Sequence, residues 1–374
     1  MPKTSSRNIQ LAFIYFFAFV VAVGCVLTTT SSAQEPPPPV APAQPQAPAK
    51  KPAATVPAAT APGAKPAVGP AAPANNAAPK LPAAPGAKPS VPVVAPPVAA
   101  TGAAGKPKPK LETVELTTKD NIKLRAFYFA SDKGKEAVPV IIVHEWEGQA
   151  SPYGTLVKSL NDAGCAVIVP ELRGHGGSRE NGPAGRPFDI ARMGKGDVAN
   201  IIGGDMEAVK SFLRKENDNG KLNLNALVLI GVREGAVIAA QWAVQDLNFP
   251  SVGAMKQGND VKSLVLVSPE KSLKGFTLDE TLRDRLLWQL PFLIVVGRGS
   301  DQFAESDRFY KRLESMKKKA GKGTALGLEL SVVATSLAGQ SFVNDAPGVI
   351  DKITAFVKAH VVDVSAKIPW VERK

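Results

Sequence analysis

Few residues of this 374-residue chain could do proton or nucleophile chemistry. It has three histidines, His144, His175 and His360. His144 ends an apolar run, and His175 stands in the glycine turn Gly174-His175-Gly176-Gly177. Ser178, Ser268, Ser300 and Ser341 fall in segments that read as loops, and none has a base beside it in sequence. Cys165 opens the apolar run Cys-Ala-Val-Ile-Val-Pro and reads as a buried small hydrophobe. The most unusual group is Arg233, at the centre of Gly231-Val232-Arg233-Glu234-Gly235, where an apolar run meets a helical pattern. A guanidinium is protonated at any accessible pH and offers donors but no lone pair, so it cannot attack a carbonyl. It can hold a carboxylate or phosphate. A cation at a helix N-terminus opposes the helix dipole, so an acidic partner is expected nearby.

The elements that must position these groups alternate short apolar runs with helical stretches. That alternation predicts an α/β fold, a mostly parallel eight-stranded sheet flanked by helices. Strands are expected at 112–118 and 122–130, as a hairpin around Lys119-Asp120-Asn121, and at 138–143, 165–170, 226–230, 261–267, 291–296 and 327–334. Helices are expected at 152–163, 198–215, 234–247, 303–320 and 347–361, with a short helical insertion at 278–288. That insertion reads equally as a small cap over a cleft or as a longer connection. Lys317, Lys318 and Lys319 read as a solvated helix end, where cations suit the dipole.

In that frame the chain resembles the α/β-hydrolase superfamily, most closely its esterase and dienelactone-hydrolase-like branches. Gly231 and Gly235 match the outer glycines of the G-x-S-x-G nucleophile elbow, with Arg233 where the serine belongs. His144-Glu145-Trp146-Glu147-Gly148 resembles the His-Glu-Trp segment from which dienelactone-hydrolase relatives build half of the oxyanion hole. Arg173-Gly174-His175-Gly176-Gly177-Ser178 resembles an esterase loop. The resemblance puts the triad acid at Asp301 and the triad base at Gln340, a side chain that cannot take a proton. It therefore implies vestigial triad positions Arg233, Asp301 and Gln340, with His144, Glu145, Trp146 and Glu234 on the oxyanion side. Asp301 is the expected partner of Arg233, with Glu145, Glu147 and Glu234 behind it. In one version the pair plugs the old cleft; in another Arg233 and the helix N-terminus form an anion-binding site. His360, about 13 residues into the last helix, would lie roughly 20 Å from that edge.

The remaining chain sets the context. Residues 1–33 carry Lys3 and Arg7, an apolar run Leu11 to Leu27 and then small residues ending at Ala33. That order predicts a secretory signal peptide. An uncleaved anchor and lipidation at Cys25 are the other readings. Residues 34–110 are a Pro/Ala/Lys-rich linker expected to stay extended and unpacked. Of the net charge of +12, the linker carries +7 and the leader +2, which leaves +3 for residues 111–374. The basicity is thus no argument for specific nucleic-acid binding, while the linker lysines could contact an anionic cell envelope. Once the leader is removed only Cys165 remains, which excludes a disulfide framework and a thiol metal site. No cofactor is expected. The domain is expected over 111–362, followed by a C-terminal tail at 363–374. The expected function is an exported, catalytically inactive hydrolase-fold protein that binds or scaffolds an unknown small molecule or protein. The alternative is a hydrolase on an ester or acyl substrate with an unconventional nucleophile.

Overall fold

Continuous apolar runs such as Val138–Val143 and Cys165–Pro170 suit strands covered on both faces, and both are fully buried. In the computed structural model the described residues are 111–373, apart from 181, 183–184, 252–255 and 322–325. The leader and linker expectations lie outside these residues. The strands are β1 (Leu111–Thr117), β2 (Lys123–Phe129), β3 (Val138–Val143), β4 (Cys165–Pro170), β5 (Leu227–Val232), β6 (Val261–Val267), β7 (Phe292–Gly297) and β8 (Leu328–Val333). They form one sheet in the order β1-β2-β4-β3-β5-β6-β7-β8. β2 pairs antiparallel with both β1 and β4, and every other pairing is parallel.

The helices are α1 (Gly154–Asp162), α2 (Lys195–Asn200), α3 (Met206–Asp218), α4 (Glu234–Leu247), α5 (Leu278–Thr281), α6 (Phe303–Ala320), α7 (Gly339–Asp345) and α8 (Val349–Val357). Alternate strand residues serve two cores. Val138, Val140 and Ile142 of β3 pack with α1, α7 and α8, whereas Ile141 and Val143 pack with α2, α3, α4 and α6. A π-helical stretch, Ile201–Asp205, joins α2 to α3. It delivers the buried Asp205 carboxylate to Arg173, which donates from its backbone N and its Nε, each at 2.8 Å.

Three local features differ from expectation. The segment around Gln340, expected as a loop, is the helix α7, with Gln340 in its first turn. A two-stranded ribbon, Ser272–Leu273 with Phe276–Thr277, precedes the insertion, whose Leu278, Leu282, Leu287 and Leu290 are buried in the same core as α4. Lys317 is not a solvated helix end. It is buried because the end of α6 packs beside the approach to β7, and its ammonium donates to the carbonyls of Leu290 (2.6 Å) and Leu326 (3.2 Å).

The segment after α8 returns along the start of the parallel strands. The side-chain amides of Asn223, Asn225 and Asn217 donate to the carbonyls of Ile368, Pro369 and Val371. The Trp370 indole lies against the Lys135 ammonium, 3.7 Å from the ring centre. Arg373 is buried on Asp260, within a cluster that also holds Lys210, Lys256 and Asp246.

Candidate functional site

At the C-terminal end of β5 the chain turns sharply into α4. Arg233 sits at φ 48° and ψ −115°, a positive φ that only a tightly supported turn imposes on a side chain. Its backbone N–H donates to the carbonyl of Val267 at 2.9 Å, which ties the turn to β6. Both flanking glycines are sterically required. A Cβ on Gly231 would lie 2.4 Å from Ala236 Cα, and one on Gly235 would lie 2.4 Å from the carbonyl oxygens of Val143 and His144.

The arginine is held by a residue that sequence reasoning missed. Arg233 donates to Glu270 Oε1 from Nε (3.2 Å) and from a terminal nitrogen (2.7 Å). Gln302 Nε2 donates to the same oxygen at 2.9 Å. Asp301, the expected partner, is exposed and makes no ion pair among the described residues. The sheet order explains the exchange. Glu270 follows β6, the neighbour of β5, and its backbone N–H donates to the Arg233 carbonyl. Asp301 follows β7, one strand further out. The available signal was Ser268-Pro269-Glu270, which directly follows the apolar run that ends at Val267.

The residues expected on the oxyanion side are also engaged with one another. Glu234 reaches across to accept the Trp146 backbone N–H at 3.1 Å. Glu145 accepts the Gln340 backbone N–H at 3.2 Å. Burial pushes the Glu145 carboxyl above the usual range, with the Gln340 N–H and the Arg233 charge pulling the other way. The Gln340 side-chain amide makes no hydrogen bond among the described residues, so nothing joins it to Asp301 or Arg233. The structure therefore gathers Arg233, Glu145, Glu234, Trp146 and the Gln340 backbone, and it leaves Asp301 and the Gln340 side chain apart.

His144 borders this region but has no free nitrogen. Nε2 accepts the Leu172 N–H at 3.3 Å, which assigns the proton to Nδ1, and Nδ1 donates to the Glu145 carbonyl at 2.7 Å. Burial, with the nearby His175, pushes its pKa down to about 4, so it is a neutral structural imidazole. His175 is buried too, its Nδ1 set 2.9 Å from the Arg173 carbonyl. His360 is 3.5 Å from Glu329, at the opposite end of the sheet from the elbow. The serines fare no better as nucleophiles. Ser178 Oγ donates to the Glu171 carbonyl, Ser300 Oγ donates to that of Gly297, and Ser341 is exposed on α7. Ser268, at φ 44°, is buried with no hydrogen-bond partner for Oγ and thus no base. Among the described residues no group of three or more His, Cys, Asp or Glu could hold a metal, and no helix is long and apolar enough to cross a membrane.

The strand order, with its antiparallel first strands and the sharp β5–α4 turn, defines an α/β-hydrolase fold, and the residue at that turn is an arginine bound by a glutamate. No protein-family model matches the chain, and neither does any curated protein. Among solved structures it is similar to an esterase from Pyrobaculum calidifontis, at 14% identity and a TM-score of 0.47, covering 68% of this chain and 87% of that one. It is also similar to the Pyrococcus furiosus esterase Pf2001, at 18% identity and a TM-score of 0.45, covering 68% and 91%. A predicted CIB-like hydrolase from Thermoplasma acidophilum is similar at 13% identity and a TM-score of 0.46, covering 67% and 99%.

Proposed function

We propose that this protein is a catalytically silent member of the hydrolase-fold architecture, exported and carried on its Pro/Ala/Lys-rich linker, that works as a binding or scaffold module. The reading rests on one observation above all. The charge at the nucleophile position is spent on Glu270, while Glu234 occupies the Trp146 amide that would otherwise face a developing oxyanion. Two internal carboxylates thus engage the guanidinium at the turn and the Trp146 amide beside it. Triad hydrolysis also requires a base that can accept a proton, and the Gln340 side chain cannot supply one. Ser268, the strained alternative, has no base in reach, so no observation favours an unconventional nucleophile.

Labelling with a fluorophosphonate and assays on short-chain esters test the catalytic half. The expected result is neither labelling nor turnover, and covalent labelling of the purified protein would overturn the proposal. Export is tested by the mass of the N-terminus in protein recovered from the producing cells. Cleavage after Ala33 is expected; an intact leader in a cytosolic fraction would refute it.

A further inference from the structure

A concavity that shares no residue with the elbow runs along α3. It encloses about 190 Å³ and is lined among others by Lys119, Glu207, Ser211, Arg214, Phe249 and Gln257. Glu207, Ser211 and Arg214 recur at helical spacing, which places them on one stripe of α3. Phe249, 37% exposed, gives the groove an apolar wall.

The unusual group is Arg214. Among the described residues its guanidinium makes no hydrogen bond or ion pair, although its Nε is sealed from solvent. Buried donors are normally satisfied, and a charged one left unpaired carries a larger penalty than a neutral one. Arg373 also has an unpaired buried Nε, but its terminal nitrogens are committed to Asp260, Asn225 and the Lys256 carbonyl. Arg214 has no such compensation. Lys119, exposed on the β1–β2 turn, likewise has no partner among the described residues. The carboxylate in the groove, Glu207, is already engaged, since its Oε1 accepts the Trp242 indole N–H at 2.8 Å. Two uncommitted cations, neutral polar groups at Ser211 and Gln257, and an exposed aromatic ring thus line one groove.

We infer that this groove binds a small anionic ligand, with Arg214 holding a carboxylate or phosphoryl group and Phe249 covering an adjoining apolar part. Arginine suits this task because its planar fork presents paired donors to either oxyanion. Glu207 then acts against anions, and its neutral isostere should strengthen binding while still accepting the Trp242 indole.

The test uses the full chain, with the Arg214 Nε–H resonance followed during titration with phenyl phosphate, phenylacetate and inorganic phosphate. Saturable shifts with an aromatic anion are expected, and comparing the first two identifies the preferred oxyanion. Arg214→Gln should weaken binding about tenfold or more while the thermal melt stays cooperative. Glu207→Gln should tighten it. Absence of saturation with all three probes, or unchanged affinity in Arg214→Gln, would overturn the site. Weaker binding in Glu207→Gln would overturn the anion assignment, and equal binding of inorganic and phenyl phosphate would overturn the role of Phe249.

Discussion

Replacing Arg233 with methionine removes the elbow's charge but keeps a long side chain and leaves the positive φ to be borne by another non-glycine residue. The loss therefore reports mainly on the contact with Glu270. That contact joins a guanidinium 37% exposed to a carboxylate 25% exposed. Solvent screens it, and its value falls well below that of a buried charged pair, at about 1 kcal/mol. Glu270 would not be stranded, because Gln302 Nε2 remains 2.9 Å from its carboxylate. Arg233→Met and Glu270→Gln should thus each destabilise the fold by about 1 kcal/mol, and the double variant by less than the two together. The expected coupling is about 1 kcal/mol, a melting shift of roughly 2–4 °C for a domain of this size. Urea unfolding of the four proteins measures it, and raising the salt concentration should shrink it. A coupling near zero at low salt would refute the plug. Arg233 would then be a solvated cation free to meet a ligand, and the cleft would be open.

Other outcomes follow from the same geometry. Gly235→Ala forces a Cβ to within 2.4 Å of two backbone carbonyls and should cost about 3 kcal/mol, seen as a lower urea midpoint. His144 should stay neutral until the pH nears 4, which its ring resonances report. Its folded value lies below the unfolded 6.5, so its contribution is complete above pH 6.5 and is lost as pH falls towards 4, by about 3 kcal/mol in total. A ring titrating near 6.5 would contradict the buried arrangement. Burial pushes the Cys165 thiol up to about 12, so thiol reagents should label it only after denaturation, as mass spectrometry would show. Arg233→Ser with Gln340→His should yield no esterase activity on chromogenic esters, because Glu234 still occupies the Trp146 amide.

The sheet was legible because its strands are apolar runs bounded by turn residues. The limits of β3, β4 and β6 follow directly from Val138–Val143, Cys165–Pro170 and Val261–Val267. The elbow was legible because its glycines meet a steric demand that any side chain would break. The partner of Arg233 was not, since ranking Asp301 over Glu270 requires knowing which loop lies beside β5 and where each carboxylate turns. Nor was the role of Glu234, whose reach to Trp146 spans 88 positions of sequence. Lys317 was misread because its satisfaction by two carbonyls leaves no trace in side-chain types.

The packing of the last residues bears on how the chain acquires its structure. Asp260 is fully buried, and the arginine that completes its neutralisation lies 113 positions later. Until Arg373 arrives, the Asp260 carboxylate at the start of β6 has Lys256 and shares Lys210 with Asp246, and the carbonyl-binding amides of Asn217, Asn223 and Asn225 have no tail to hold. Closing so distant a contact is slow relative to local structure. The central strands therefore reach their final stability only once Arg373 and the residues before it have docked, well after the β-α units of the sheet could have formed locally.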